Sequence, residues 1–262
     1  MTPEERLHQA RESPVPYEER YVVLIDILGW SEIIKRSVSD PNAMSPIAHA
    51  AELIAQTRNW ADNTNRLAGK SVNTDIRVSY FSDTFVLSLP VGTEVADTAE
   101  GTLNDMVGEI CATLLESGHY TRGAIVRGLV RHTSNVLYGP SVVEAHELES
   151  RVAKYPRILV SPEAEAAFND KTSLRTDFDG LKHLDYLRPY KCTDPELFKL
   201  LEHIIRRYKP LDEQVVWLEG IRNMVDRRAK DNARHLGIVA KDMWFLGYVD
   251  ETLNRARYEA AG

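Results

Sequence analysis

The sequence predicts an α+β fold, with one sheet, helices on one face and a helical extension at the C-terminus. Three observations predict it. The run Tyr21–Ile25 (YVVLI) is apolar and mostly β-branched or aromatic, the composition of a strand buried on both faces. The stretch Ile76–Leu89 (IRVSYFSDTFVLSL) is strand-like on either side of a polar Ser82-Asp83 pair, which reads as a hairpin with Asp83 at its tip. Helix-period segments lie between the strands, so antiparallel hairpins are mixed with crossover helices.

In chain order, residues 1–20 are polar with three prolines and form an arm. Asp26 ends the first strand, and Ile27-Leu28-Gly29-Trp30-Ser31 turns into a helix that runs to Ser37. Ser39–Ser45 is a loop by composition, and Ser45-Pro46 is a capped helix start with Ile47, Ala50, Ala51, Ile54 and Ala55 on one stripe. Asn59–Lys70 is a polar link to the hairpin. Thr93–Glu116 is a long helix with Val95, Leu103, Val107, Ile110 and Leu114 inward, ended by Gly118. Thr121–Val130 (TRGAIVRGLV) is a strand whose glycines admit a close backbone. Asn135–Tyr138 is a short strand, and Ser141–Lys154 is a helix facing inward through Val142, Ala145, Leu148 and Val152. Arg157–Val160 is a strand, and Ser161-Pro162-Glu163 caps another helix.

After about Leu187 the pattern becomes helical. Thr193-Asp194-Pro195 opens a helix carrying Leu197, Leu200, Leu201, Ile204 and Ile205, and Trp217, Trp244 and Phe245 further on must bury something, on the sheet or on a partner subunit. Three parts are expected: an arm at 1–20, the sheet-bearing domain at 21–187 and the extension at 188–262.

The totals narrow the function. At 262 residues, with 43% apolar and 27% charged residues, the chain is an ordinary globular protein with a sizeable core. A formal charge of −7 argues against a broad nucleic-acid footprint and against binding an anionic membrane. No apolar run approaches the roughly 18–20 residues of a membrane span, and the charged start MTPEERLHQARESP lacks a signal-peptide core. Cys111 and Cys192, far apart, form neither a disulfide framework nor a zinc spacing, so a reducing cytoplasm is expected. His8, His49, His119, His132 and His146 show no ligand spacing and are expected at the surface or at caps.

Chemistry concentrates on two carboxylates. If Asp26 and Asp83 end adjacent strands, their side chains meet at one edge of the sheet. They would repel, and a divalent cation would relieve the repulsion. Two such ions about 3.5–4 Å apart can clamp the attacking and leaving oxygens of a phosphoryl transfer. The Ile27 carbonyl is placed to serve as a third ligand, and the Gly29-Trp30-Ser31 turn offers N–H donors to phosphate oxygens. Read from the residues alone, the alternative stands beside it: two unrelated acids, one capping a helix and one at a turn.

Four motifs, in order, resemble class III nucleotide cyclases. DILGW at Asp26–Trp30 is similar to their first metal and phosphate motif, and RVSYFSDTF at Arg77–Phe85 to the second. RGAIVRG at Arg122–Gly128 is similar to the glycine-bearing third strand, and YGPSVVEAHELES at Tyr138–Ser150 to the fourth motif, keeping Gly139, Val142, Ala145, Leu148, Glu149 and Ser150. The resemblance covers about Tyr21 to Pro162 and implies a class III cyclase-like (ferredoxin-like/palm) sheet. It also implies two Mn²⁺ (or Mg²⁺) ions per site on Asp26, Asp83 and the Ile27 carbonyl, with the triphosphate on Ile27, Leu28, Gly29, Trp30 and Ser31.

The departures point to one branch. The purine-reading positions hold Ser79 and Val136, and the transition-state Asn and Arg positions hold Val143 and Glu147. The pyrimidine cyclases of bacterial Pycsar antiphage systems resemble this pattern, extra helices included. That resemblance implies a uridylate cyclase, a phosphorus-oxygen lyase converting UTP to 3′,5′-cyclic UMP and diphosphate as a second messenger in antiviral defence, read by a separate cyclic-nucleotide effector. It further implies a nucleobase pocket at Ser79, Tyr80 and Val136, and a homodimer with shared active sites.

For charge on the leaving oxygens, Arg122, Arg127 and Arg131 are candidates by position, Arg77 less so; Tyr80 and Trp30 are candidates to stack on the base. The competing readings are a cytidylate cyclase acting on CTP, a purine cyclase, a catalytically dead nucleotide-binding module, and a palm-type nucleotidyltransferase acting on nucleic acid. The −7 charge disfavours the last.

Overall fold

The computed structural model describes residues 16–45, 47–48, 52–53, 55–57, 59, 61, 75–91, 96–168, 170–188 and 210–261. The helix expected from Thr193, Cys192, most of the N-terminal arm and the 62–70 link lie outside the described residues.

The eight described strands form one sheet around β1 (Glu18–Ile27). On one side β1 pairs antiparallel with β3 (Thr84–Pro90), which continues to β2 (Arg77–Phe81). On the other side it pairs antiparallel with β4 (Thr121–His132). Beyond β4 come β6 (Ile158–Val160), β8 (Lys182–Leu184) and β7 (Leu174–Thr176), while β5 (Leu137–Tyr138) pairs only with the end of β4. Only β4 and β6 run parallel among these pairs, and a parallel pair needs a crossover connection. That crossover is α3 (Pro140–Glu147), continued by one π-helical turn at Leu148–Val152.

The expected α+β sheet is present, but its helices do not keep to one face. Tyr21, Val23, Ile25 and Ile27 of β1 enter the main core, where α2 (Ala96–Glu116) contributes Leu103, Met106, Val107, Ile110 and Leu114. Val22 and Leu24, pointing the other way, are buried with Val126, Val130 and Ala145 beneath α3. A strand apolar at every position has to be covered twice, so a single helical layer would have left Val22 and Leu24 in water.

Two further differences from the expected order appear. β1 begins at Glu18, which takes the last residues of the expected arm into the sheet. The hairpin β7–β8, absent from the expected order, extends the sheet, and short α4 (Pro162–Ala167) precedes it with Ser161 Oγ accepting the Ala164 N–H as cap. The hairpin with Asp83 at its tip is found as expected, with Phe81 opposite Thr84.

The C-terminal residues form two antiparallel-packed helices, α5 (Leu211–Asp231) and α6 (Leu236–Ala261). Leu218, Ile221 and Val225 of α5 and Phe245, Tyr248, Val249 and Leu253 of α6 join the same core cluster as β1 and α2. The extension therefore packs on the sheet of its own chain. Polar ties hold it there: Trp217 Nε1 donates to Glu116, Trp244 Nε1 to Asp177, and Tyr248 Oη to Asp185, at 2.8, 2.8 and 2.9 Å.

Candidate active site

β1 carries Asp26 to its last turn, opposite Thr84 of β3 and Arg122 of β4. Arg122 Nε lies 3.4 Å from Asp26 Oδ2 and 2.6 Å from Oε1 of Glu149, a carboxylate only 5% exposed on the π turn. The second contact is an ion pair without hydrogen-bond alignment, since Glu149 Oε1 has no hydrogen-bond partner. Arg122 thus bridges two acids on the face of the sheet that α3 covers.

Asp83 arrives from the other side. Ser82 takes a left-handed φ of 56° to close the two-residue loop. The Asp83 carbonyl then accepts the Ile27 N–H at 3.2 Å, tying the hairpin tip to the end of β1. The Asp26 carboxyl is pushed up to about 6, first by burial, next by the charge of Asp83 and then by that of Glu149, with Arg122 opposing. Asp26 and Asp83 therefore share one electrostatic site at one rim.

A divalent ion fits this donor set as it fits many phosphate-handling sites: one or two carboxylates from the protein, the remaining oxygens from water and substrate phosphates. Among the described residues no three His, Cys, Asp or Glu converge to hold an ion unaided. Asp26 and Asp83 would thus need oxygens from a ligand to complete a shell, and Glu149 is already committed to Arg122.

Beside the acids, Gly29 (φ 84°) turns the chain into α1 (Trp30–Ser37). The N–H groups of Glu32 and Ile33 return to the Gly29 carbonyl, so those of Trp30 and Ser31 stand at an open helix N-terminus. Two expected phosphate donors drop out. The Ile27 N–H is held by Asp83 and the Leu28 N–H by the Tyr120 carbonyl at 2.9 Å. The Trp30 ring, buried at 7% exposure, belongs to the core and does not stack on a ligand.

The expected base-pocket residues separate. Ser79 pairs with Val86 and lies on the Asp26 face, its hydroxyl 2.9 Å from His132 Nε2. Tyr80, one residue on, alternates to the opposite face and is half-exposed. Val136 is exposed in the β4–β5 loop, where its N–H donates to Thr133 Oγ1.

Of the candidate arginines, only Arg122 reaches the acids. Arg127 pairs with Glu19, Arg131 with Glu18, and Arg77 with Glu18 and Asp75, all toward the far end of β1.

Two residues were missed. Glu149 falls seven and four residues along from Val142 and Ala145 of the apolar stripe, and an acid on an inward stripe was a readable signal. His132, expected at the surface, is fully buried, with Ser88 Oγ 2.8 Å from Nδ1. Its partners are 44 and 53 residues away, and no local pattern announces them.

No family model and no curated protein matches the chain. Among solved structures, the monomeric guanylyl cyclase domain of the RhoGC fusion protein from the aquatic fungus Blastocladiella emersonii is similar at a TM-score of 0.42 and 16% identity. The match covers 64% of this chain and 95% of that one, and a likeness of that size fixes neither reaction nor substrate.

Proposed function

We propose that the chain is a divalent-metal-dependent nucleotide cyclase of pyrimidine type, converting UTP to 3′,5′-cyclic UMP and diphosphate. The observation that carries the reading is the shared rim of Asp26 and Asp83, where burial, and next the charge of Asp83, raises the Asp26 carboxyl beside an open helix N-terminus. Asp26 and Asp83 would hold one or two Mn²⁺ or Mg²⁺ ions, with the Ile27 carbonyl as a further ligand. A bound ion supplies neutralisation of the triphosphate and acidification of the 3′-hydroxyl. The N–H groups of Trp30 and Ser31 orient phosphate oxygens, and Arg122 positions Asp26 while offering charge to the reacting phosphate. The pyrimidine part of the reading rests on the sequence alone, where Ser79 and Val136 stand at the positions of a purine cyclase's charged readers.

A homodimer with sites shared between copies belongs to the same proposal. Leu129, Val136, Tyr138 and Val143 are exposed at 44–61% around β4, β5 and α3, an apolar surface that a second copy would cover. Bacterial antiviral signalling through a separate effector follows only from the motif resemblance, and a cytoplasmic setting only from the two separated cysteines. No helix among the described residues is long and apolar enough to cross a membrane.

The test is a competition assay with UTP, CTP, ATP and GTP together, Mn²⁺ present and products resolved by mass. Cyclic UMP as the dominant product is expected. Cyclic CMP would move the assignment to cytidine, a cyclic purine nucleotide would overturn the pyrimidine reading, and binding without turnover would leave a nucleotide-binding module.

A further inference from the structure

One N–H serves two acids at the end of β1. Arg122 Nε carries a single hydrogen, and two carboxylate oxygens stand within its reach. Asp26 Oδ2, at 3.4 Å, receives the hydrogen bond. Glu149 Oε1 is nearer, at 2.6 Å, and receives none. The other oxygen of Glu149, Oε2, has the exposed His146 ring 3.7 Å away.

A fixed structural ion pair would be arranged the other way. Glu149 is 5% exposed and Asp26 18%, and the deeper carboxylate is the one that loses more when an oxygen goes without a donor. Here the bond goes to the longer contact, and the buried oxygen is left as an unused acceptor. Glu149 comes from the π turn that continues α3, a local widening of the helix that occurs mostly at functional sites. The Arg122 side chain is 27% exposed, so packing leaves its guanidinium room to rotate from one acid to the other.

The two directions of the N–H differ in what they leave open. Aimed at Asp26, it occupies a carboxylate that Asp83 and Glu149 already repel. Aimed at Glu149, it satisfies the buried oxygen and leaves Asp26 to a cation, which would relieve the repulsion from Asp83.

We infer that Glu149 is a positioning residue for metal loading: when a divalent cation occupies Asp26, the Arg122 N–H turns to Glu149 Oε1 and Asp26 is released. The inference rests on the proposed ion at Asp26 and Asp83. Without the Glu149 charge, the cation would have to strip a charge-assisted hydrogen bond from Asp26 with no comparable acceptor left for Arg122.

NMR of the full chain reads the Arg122 Nε–H directly, its signal identified by its loss in Arg122→Lys. Inorganic triphosphate is present throughout, to supply phosphate oxygens whichever base the site takes. In wild type, Mg²⁺ should move the signal downfield, as a short charge-assisted bond replaces a long one. Asp26→Asn should show the downfield position before any metal is added. In Glu149→Gln the signal should stay in place, and the affinity for protein-bound Mn²⁺, followed by electron paramagnetic resonance, should fall about tenfold. Loss of a negative charge alone would weaken Mn²⁺ without deciding where the Arg122 N–H points. Should Glu149→Gln not fold, the wild-type and Asp26→Asn spectra still decide. A signal that Mg²⁺ binding leaves unmoved, one that moves equally in Glu149→Gln, or an unchanged Mn²⁺ affinity in that variant overturns the inference and leaves the metal reading standing. Failure of the wild type to bind Mn²⁺ overturns both.

Discussion

Acid should destabilise this fold through His132 before it reaches any surface carboxylate. The ring sits fully buried between Ser88 Oγ at Nδ1 and Ser79 Oγ at Nε2, and Arg20 Nε donates to the same Ser88 hydroxyl at 2.9 Å. Burial, then the Arg20 and Arg77 guanidiniums, hold the imidazole down to about 4, with Asp75 and Glu18 offsetting only part. The unfolded chain takes up this proton near 6.5, the folded one not until about 4. Stability is therefore whole above pH 6.5 and is lost as pH falls toward 4. At about 1.4 kcal/mol per tenfold, the loss amounts to about 3 kcal/mol, a large share of the 5–15 kcal/mol typical of a domain.

Asp26 works in the opposite sense. Its folded value near 6 against 3.8 unfolded means that the same fall in pH favours the folded state, by a smaller amount because the side chain is partly open to water. Urea unfolding followed by tryptophan fluorescence at pH 7.5, 6, 5 and 4, in wild type and His132→Gln, separates the two. Gln keeps a donor and an acceptor but cannot take the proton. Wild type should lose about 2–3 kcal/mol more than the variant between pH 7.5 and 4. Parallel loss in both proteins would refute the reasoning.

Two further outcomes follow from contacts at the site. A Cβ at Gly123 would fall within bonding contact of the Leu24 carbonyl oxygen, so Gly123→Ala should cost about 2–3 kcal/mol in the same urea assay. Glu149→Gln removes one of the charges that raise Asp26, so the Asp26 carboxyl should titrate below its wild-type value of about 6 by carbon NMR.

What was legible in the sequence is what depends on neighbours in the chain. The β1 run, the Ser82-Asp83 tip and the Gly29 turn announce themselves in a few residues each, and together they bring Asp26 and Asp83 to one rim. The double burial of β1 was equally readable from Tyr21–Ile25, and it already excluded helices on one face alone. Long-range pairing was hidden. His132 finds Ser79 and Ser88 across the sheet, and Arg20 is buried against Asp75, 55 residues away. The strands β7 and β8 are three residues each, too short for a period to appear. The tail's pattern says helix and nothing about Tyr120 and Gly118, more than a hundred residues earlier, to which Asp242 and Arg228 fasten it.

The claim on which the account rests is that Asp26 and Asp83 grip a common ion. Mn²⁺ binding by electron paramagnetic resonance, with 3′-deoxyuridine triphosphate present, tests it in Asp26→Asn, Asp83→Asn and the double variant. Each single substitution should remove most of the tight binding, and the double should lose little more. Losses that simply add would contradict a shared ion.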